Sequence, residues 1–185
     1  MKTGLTSVTF RQKSVDEIIS LAQKAHLDGI EWGGDVHVPA GDTDTAASVR
    51  EKCIAAGLEI LSYGSYYKAL PDQDFAPVLA SARALGAPMI RIWAGNCTPD
   101  SISEDAFRSL AAGIRCAAES ASQFGIAVAL EYHRGTMTQT KEGAVRLLQA
   151  VDHPNLYTYW QPNPDVSMGE RLREIQAISP WLRCC

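Results

Sequence analysis

The chain has 185 residues, of which 46% are apolar and 21% are charged, as expected for one globular domain with a substantial core. Its 17 basic and 21 acidic residues give a formal net charge of −4, which disfavours nucleic acid and anionic membranes as partners. No apolar stretch approaches the roughly 20 residues that cross a bilayer, and the five cysteines lack the spacing of zinc sites, so we predict a cytoplasmic protein with free thiols.

Apolar runs and helical patterns alternate from one end of the sequence to the other. Strands are predicted at residues 5–10, 29–33, 58–63, 88–93, 126–130 and 156–160, and a seventh begins at 181–185. The intervening helices are predicted to start at Ser14, at Asp44 or Thr45, and at Asp72, Ser103, Thr140 and Ser167.

The fifth apolar run leads directly into Glu131, Tyr132, His133 and Arg134. A run without polar alternation is typical of a strand buried on both faces, as in a parallel sheet covered by helices. Ligands of such folds bind at the carboxyl ends of the strands. We therefore expect Glu131 and the residues after it to lie at a binding site.

Repeated strand–helix units fit either an open doubly wound sheet or a closed eight-stranded barrel. The turn after strand one, at residues 9–13, has no glycine, whereas a nucleotide-binding open sheet needs a glycine-rich turn there. The prediction is an α/β fold, a TIM (β/α)8-type barrel, with residues 1–185 as a single partial domain. About six units and the start of strand seven are present, whereas a whole barrel has eight units in about 250 residues, so we expect a truncated or unusual barrel.

Aromatic and hydrogen-bonding side chains recur at the predicted carboxyl ends of the strands. Aromatic walls with a few carboxylates, imidazoles and an arginine suit a small polyhydroxylated ligand, because sugar rings stack on apolar faces and hydrogen-bond at their edges. The predicted partner is therefore a small sugar or polyol. Its predicted contacts are Glu31, Trp32, His37, Tyr63, Arg91, Trp93, His133, Trp160 and Gln161, beside Glu131, with Tyr66, Arg134 and Asn163 at neighbouring strand ends.

Three short motifs resemble the sugar phosphate isomerase/epimerase family: Gly-Leu-Thr-Ser-Val-Thr-Phe at 4–10, Asp-Gly-Ile-Glu-Trp at 28–32 and Val-Ala-Leu-Glu-Tyr-His at 128–133. The resemblance runs over essentially the whole chain and implies the xylose isomerase-like TIM barrel, which endonuclease IV shares. It also implies that Glu131 binds a divalent metal ion (Mn, Mg, Zn or Co) and serves as an acid/base group.

The chain departs from the family pattern after strand five. Gln161 stands where the resemblance implies a metal-binding aspartate, and an amide oxygen binds divalent cations more weakly than a carboxylate. The histidine of strand seven and the glutamate of strand eight have no counterpart within the 185 residues. The predicted metal ligands are therefore Glu131 and Gln161 alone.

The resemblance implies a sugar or sugar-phosphate isomerase or epimerase, in which a metal polarises a carbonyl and Glu131 removes the neighbouring proton. The alternative is a truncated or non-catalytic barrel relative that binds a polyol without turnover, which Gln161 and the missing last two units favour. An endonuclease IV-like hydrolase is disfavoured because strands three and four end in Tyr63 and Trp93 instead of zinc-binding histidines. The bare edges of an unclosed sheet also predict a homo-oligomer.

Overall fold

The computed structural model describes residues 2–162 and 164–185, so Asn163, one of the predicted strand-end residues, lies outside them. In the described chain seven strands alternate with six α-helices. The strands are β1 (Gly4–Thr6), β2 (Gly29–Gly33), β3 (Glu59–Gly64), β4 (Met89–Ile92), β5 (Ala127–Glu131), β6 (Leu156–Tyr159) and β7 (Leu182–Cys184). The helices are α1 (Val15–Lys24), α2 (Thr43–Ala55), α3 (Ala76–Leu85), α4 (Glu104–Ser122), α5 (Lys141–Val151) and α6 (Met168–Ile178).

The chain divides into two compact units. The first unit comprises the residues up to Tyr66 together with Asp74–Ile90, and the second comprises Tyr67–Gln73 and Arg91–Cys185. Within residues 2–162 and 164–185, no helix has the length and apolar character needed to cross a membrane.

In the first unit, β2 pairs in parallel with both β1 and β3. The strands approach closely at Gly29, where a Cβ atom would lie 2.4 Å from the carbonyl oxygen of Glu59. Helix α1 begins with the predicted capping box, because the Ser14 hydroxyl accepts from the backbone N–H of Glu17 while the Glu17 carboxylate accepts from that of Ser14. This cap fixes the start of α1, so its buried apolar residues lie on one face.

In the second unit, β6 pairs in parallel with both β5 and β7. Ser103 and Thr140 cap α4 and α5 as predicted, each accepting a backbone N–H three residues later. The core between these elements is formed by buried side chains from α4, α5 and β5, including Leu110, Ile114, Val128, Leu130, Leu147 and Leu148. Parallel strands joined by helices confirm the predicted strand–helix units.

Three predicted element boundaries were wrong for identifiable reasons. Strand β1 stops at Thr6, because the buried Ser7 hydroxyl accepts from the backbone N–H of Gly33 and the chain turns into a short 3-10 helix. Helix α3 begins after Phe75 instead of at Asp72, with a proline in its first turn. Helix α2 is capped by Asp42, two residues before the predicted start.

Candidate functional site

Glu131 is the last residue of β5, and its side chain is 12% exposed. One carboxylate oxygen, Oε2, accepts hydrogen bonds from the guanidinium of Arg91 and, at 2.6 Å, from the indole N–H of Trp93. The other oxygen, Oε1, accepts from the side-chain amide of Gln161 at 2.9 Å. The second unit therefore brings four predicted site residues together around one carboxylate.

The pair formed by Arg91 and Glu131 is a buried ion pair. The Arg91 side chain is 7% exposed and lies in β4, so neither charge is well hydrated. Charge-assisted hydrogen bonds offset the loss of hydration only while both partners are present. Arg91 therefore holds Glu131 in place and balances its charge.

Trp93 and His133 form the aromatic side of this site. Their rings stack with centroids 4.3 Å apart and an interplanar angle of 21°. The Nδ1 atom of His133 lies 2.6 Å from the backbone oxygen of Arg134. A carbonyl oxygen only accepts, so Nδ1 carries a proton and donates it to this oxygen, and Nε2 is the other ring nitrogen.

Two buried threonines fix the loop that follows Glu131. The hydroxyl of Thr138 donates to the backbone oxygen of Glu131 at 2.5 Å, and that of Thr136 donates to the backbone oxygen of His133 at 2.8 Å. Both residues are almost fully buried. The sequence analysis missed them, because threonines after a strand are equally typical of a solvent-exposed loop.

A cavity of about 280 Å³ adjoins this arrangement through Gln161, which lines the cavity and contacts Glu131, whereas Glu131 itself is not one of the lining residues. Among the described residues, its lining includes an arginine, a histidine, a tyrosine and two glutamines but no acidic side chain. The lining residues are Tyr132, His133, Arg134, Gln139, Gln161, Pro162 and Pro164. The cavity therefore offers hydrogen-bond donors and positive charge to a small ligand.

Trp160 contacts Glu174, which is not a residue of the cavity lining. Its indole N–H lies 3.4 Å from a carboxylate oxygen of Glu174, a residue of α6 that is 3% exposed. Burial and the negative charge of Glu174 raise the pKa of Tyr132, which packs in the same apolar cluster as Trp160. Trp160 is not among the residues that line the cavity, and its contact with substrate stays a prediction.

In the first unit, Glu31 lies in β2 and is 5% exposed. Its carboxylate accepts from the hydroxyl of Ser62 at 2.6 Å and from that of Thr6 at 3.2 Å. These hydroxyls come from β1 and β3, the two strands that flank β2, so the hydrogen bonds of this carboxylate link three strands. A substrate contact at Glu31 stays a prediction.

The other predicted contacts of the first unit are also buried. Trp32 has no exposed surface, and the edge of its ring contacts His37, with centroids 5.9 Å apart. The Nε2 atom of His37 lies 3.1 Å from the backbone oxygen of Lys13. Tyr63 is fully buried and donates its hydroxyl to the backbone oxygen of Val38 at 2.8 Å. Their predicted roles in substrate binding are untested.

Burial raises the pKa of Tyr63 to about 12, above its usual value of 10. Between these pH values the unfolded chain releases the phenolic proton and the folded chain keeps it, so stability should fall as the pH rises. Between pH 8 and 11 the unfolding free energy should fall by about 1.4 kcal/mol less in Tyr63→Phe than in the wild type. Urea unfolding at both pH values measures it. The same loss in Tyr63→Phe as in the wild type would contradict the prediction, and Tyr157→Phe is the control.

The predicted ligands of a divalent metal ion in the second unit are Glu131 and Gln161. One oxygen of Glu131 is already bound to the cationic Arg91, and Gln161 directs its amide N–H toward the other. Hard cations such as Mg²⁺ and Mn²⁺ require several oxygen ligands. Within the described part of the chain, no group of three or more His, Cys, Asp or Glu residues could hold a metal ion. The residues in this arrangement do not fit the predicted metal.

Comparison with known proteins found a curated relative. A 3-dehydroshikimate dehydratase of Bacillus anthracis is 26% identical over 200 aligned positions, which cover 99% of this chain and 70% of the relative.

Solved structures with the same fold include several enzymes. A probable 3-DHS dehydratase from Bacillus anthracis has a TM-score of 0.81 and 24% identity, with 99% of this chain and 71% of that chain covered. A D-psicose 3-epimerase solved with D-fructose has a TM-score of 0.75 and 16% identity, with 100% and 72% covered. A Mycobacterium smegmatis protein of the same fold, solved in complex with magnesium, has a TM-score of 0.71 and 16% identity, with 97% and 72% covered. At these identities the likeness shows the fold.

The model of the xylose isomerase-like TIM barrel family matches residues 19–162. This match covers more than half of the chain and confirms the predicted fold class, of which the described residues supply seven strands. The chain belongs to the xylose isomerase-like TIM barrel family.

Proposed function

We propose that this protein transfers a proton next to a carbonyl group of a small polyhydroxylated substrate, as an isomerase or epimerase of a sugar. The observation that carries the proposal is the Glu131 carboxylate, which Arg91 and Trp93 anchor at a strand end and which contacts Gln161, a residue of the cavity lining. Acid/base catalysis needs a carboxylate that is held in one orientation within reach of the substrate.

The two oxygens of Glu131 have different roles in the proposed reaction. Oε2 is bound to Arg91 and Trp93, whereas the partner of Oε1 is the exposed Gln161. A substrate can replace an exposed amide more readily than a buried guanidinium. Oε1 is therefore the oxygen that removes the proton.

Glu131 removes the proton from the carbon next to the carbonyl. The electrons of the broken C–H bond form a carbon–carbon double bond, and the carbonyl oxygen takes up the negative charge of the resulting enediolate. Gln161, released from Glu131, can donate its amide N–H to that oxygen. His133 lines the cavity with Nε2 as the nitrogen that exchanges protons with the substrate. Return of the proton to the former carbonyl carbon, with transfer of the hydroxyl proton to the former carbonyl oxygen, isomerises the substrate. Return of a proton to the original carbon from the opposite face epimerises it.

Dehydration of a hydroxyketone is the second candidate, favoured by the curated relative. 3-Dehydroshikimate is a cyclic hydroxyketone with a carboxylate group. Its dehydration requires removal of a proton next to the carbonyl, followed by loss of a hydroxyl group as water. The same carboxylate can therefore serve both reactions, and the substrate decides between them.

Turnover assays with D-fructose, D-fructose 6-phosphate and 3-dehydroshikimate test the proposal. We expect the wild type to convert at least one of them, as followed by proton NMR, and Glu131→Gln to lose that conversion. Glu119→Gln, which removes an exposed carboxylate of α4, is the control and should keep it. Binding of these compounds without turnover by the wild type would instead support the alternative of a non-catalytic sugar-binding relative.

The metal prediction is tested separately. Since the donors around Glu131 do not fit a divalent cation, we expect purified protein incubated with Mn²⁺ and then dialysed to retain much less than one equivalent. Elemental analysis measures the retained metal. Retention of one equivalent by the wild type and its loss in Glu131→Gln would show that Glu131 exchanges Arg91 for a metal ion, as the family resemblance implies.

A further inference from the structure

Arg134 is the exposed cation of the cavity beside Glu131. It follows His133 directly, its side chain is 55% exposed, and it forms an ion pair with Asp165, which is 73% exposed. Arg91, the other arginine at this site, is buried against Glu131. Arg134 is therefore the more exposed of the two arginines.

The backbone around Arg134 is fixed. Its carbonyl oxygen accepts from the ring of His133 at 2.6 Å, and the backbone N–H of Gly135 donates to the side chain of Gln139 at 3.0 Å. Gly135 has a φ of 73°, a left-handed conformation that suits glycine. The turn therefore positions the backbone of Arg134 next to His133.

The ion pair with Asp165 is readily exchanged. Ion pairs between exposed side chains contribute little to stability, because water and salt screen both charges. A carboxylate or phosphate group offers the guanidinium two or three oxygens, and paired hydrogen bonds to such groups are among the strongest that arginine forms. A ligand anion can thus compete with Asp165 for the guanidinium.

We propose that Arg134 binds the anionic group of the substrate, and that Asp165 is the counterion released when the substrate binds. The proposal rests on the proposed function for the cavity and narrows its substrate class to polyhydroxylated carbonyl compounds with a carboxylate or phosphate group. The neutral and cationic lining provides the charge complementarity for such a ligand.

Equilibrium binding tests the proposal without requiring turnover. Calorimetric titration should show Kd values for 3-dehydroshikimate and D-fructose 6-phosphate at least tenfold higher for Arg134→Gln than for the wild type. Asp165→Asn, which removes the competing anion, should lower both values severalfold. Arg146→Gln is the matched control, because Arg146 also forms an exposed ion pair in the second unit, with Glu104, and lies outside the cavity lining.

The two ligands distinguish a carboxylate from a phosphate as the anionic group that Arg134 binds. If Arg134→Gln loses affinity only for 3-dehydroshikimate, Arg134 binds a carboxylate. If it loses affinity only for D-fructose 6-phosphate, Arg134 binds a phosphate. Equal Kd values for Arg134→Gln and the wild type with both ligands would overturn the proposal. It would also be overturned if Arg134→Gln bound D-fructose and D-fructose 6-phosphate more weakly by the same factor. Failure of the wild type to turn over any compound, with the charge-dependent binding intact, would contradict the proposed function and leave the anion site standing.

Discussion

Glu131→Gln is expected to lower kcat by roughly 10²–10⁴-fold, the contribution of a positioned acid/base group. Glutamine keeps an oxygen that can accept hydrogen bonds from Arg91 and Trp93, but it cannot take up a proton from carbon. Steady-state kinetics on the best substrate of the wild type measures the effect, with KM changing much less than kcat.

Loss of turnover in this variant must be separated from loss of folding. Circular dichroism and thermal unfolding of Glu131→Gln should show a folded protein at the assay temperature, although with a lower Tm because Arg91 loses its counterion. Unchanged kcat in a folded Glu131→Gln would exclude Glu131 as the acid/base group.

Arg91→Met is expected to destabilise the protein by about 3–5 kcal/mol, the usual consequence of leaving a buried charge without its partner. The Glu131 side chain is 12% exposed and cannot recover hydration without moving. Urea unfolding of the wild type and the variant, followed by circular dichroism, measures the change in unfolding free energy.

A double-mutant cycle identifies the cause of that loss. Arg91→Met/Glu131→Gln should be more stable than Arg91→Met alone, because the second substitution removes the unpaired charge. Arg146→Met, which breaks the exposed pair with Glu104, should cost no more than about 1 kcal/mol and serves as the control. A loss for Arg91→Met as small as that of the control would show that the buried pair does not stabilise the fold.

Local sequence patterns predicted the order of the elements and the position of Glu131. The capping residues Ser14, Ser103 and Thr140 act on backbone groups three residues away, so their effect is readable from spacing alone. The uninterrupted apolar run before Glu131 placed this carboxylate at the end of a buried strand.

Contacts between distant parts of the chain were not predictable in this way. Arg91 and Glu131 are 40 positions apart, and no periodicity indicates that their side chains form a pair. The same holds for the ion pair between Arg134 and Asp165, and for the Thr138 hydroxyl that fixes the backbone of Glu131. The predicted metal followed from the resemblance, whereas the partner of Glu131 in the fold is an arginine.

Hydrogen–deuterium exchange tests most directly whether Glu131 transfers a proton next to a carbonyl. The wild type is incubated in D₂O with D-fructose, D-fructose 6-phosphate or 3-dehydroshikimate, and proton NMR follows the hydrogen on the carbon next to the carbonyl. We expect this signal to disappear, from at least one compound, much faster with the wild type and Glu119→Gln than with Glu131→Gln. Exchange at the same rate with Glu131→Gln and the wild type would contradict this expectation.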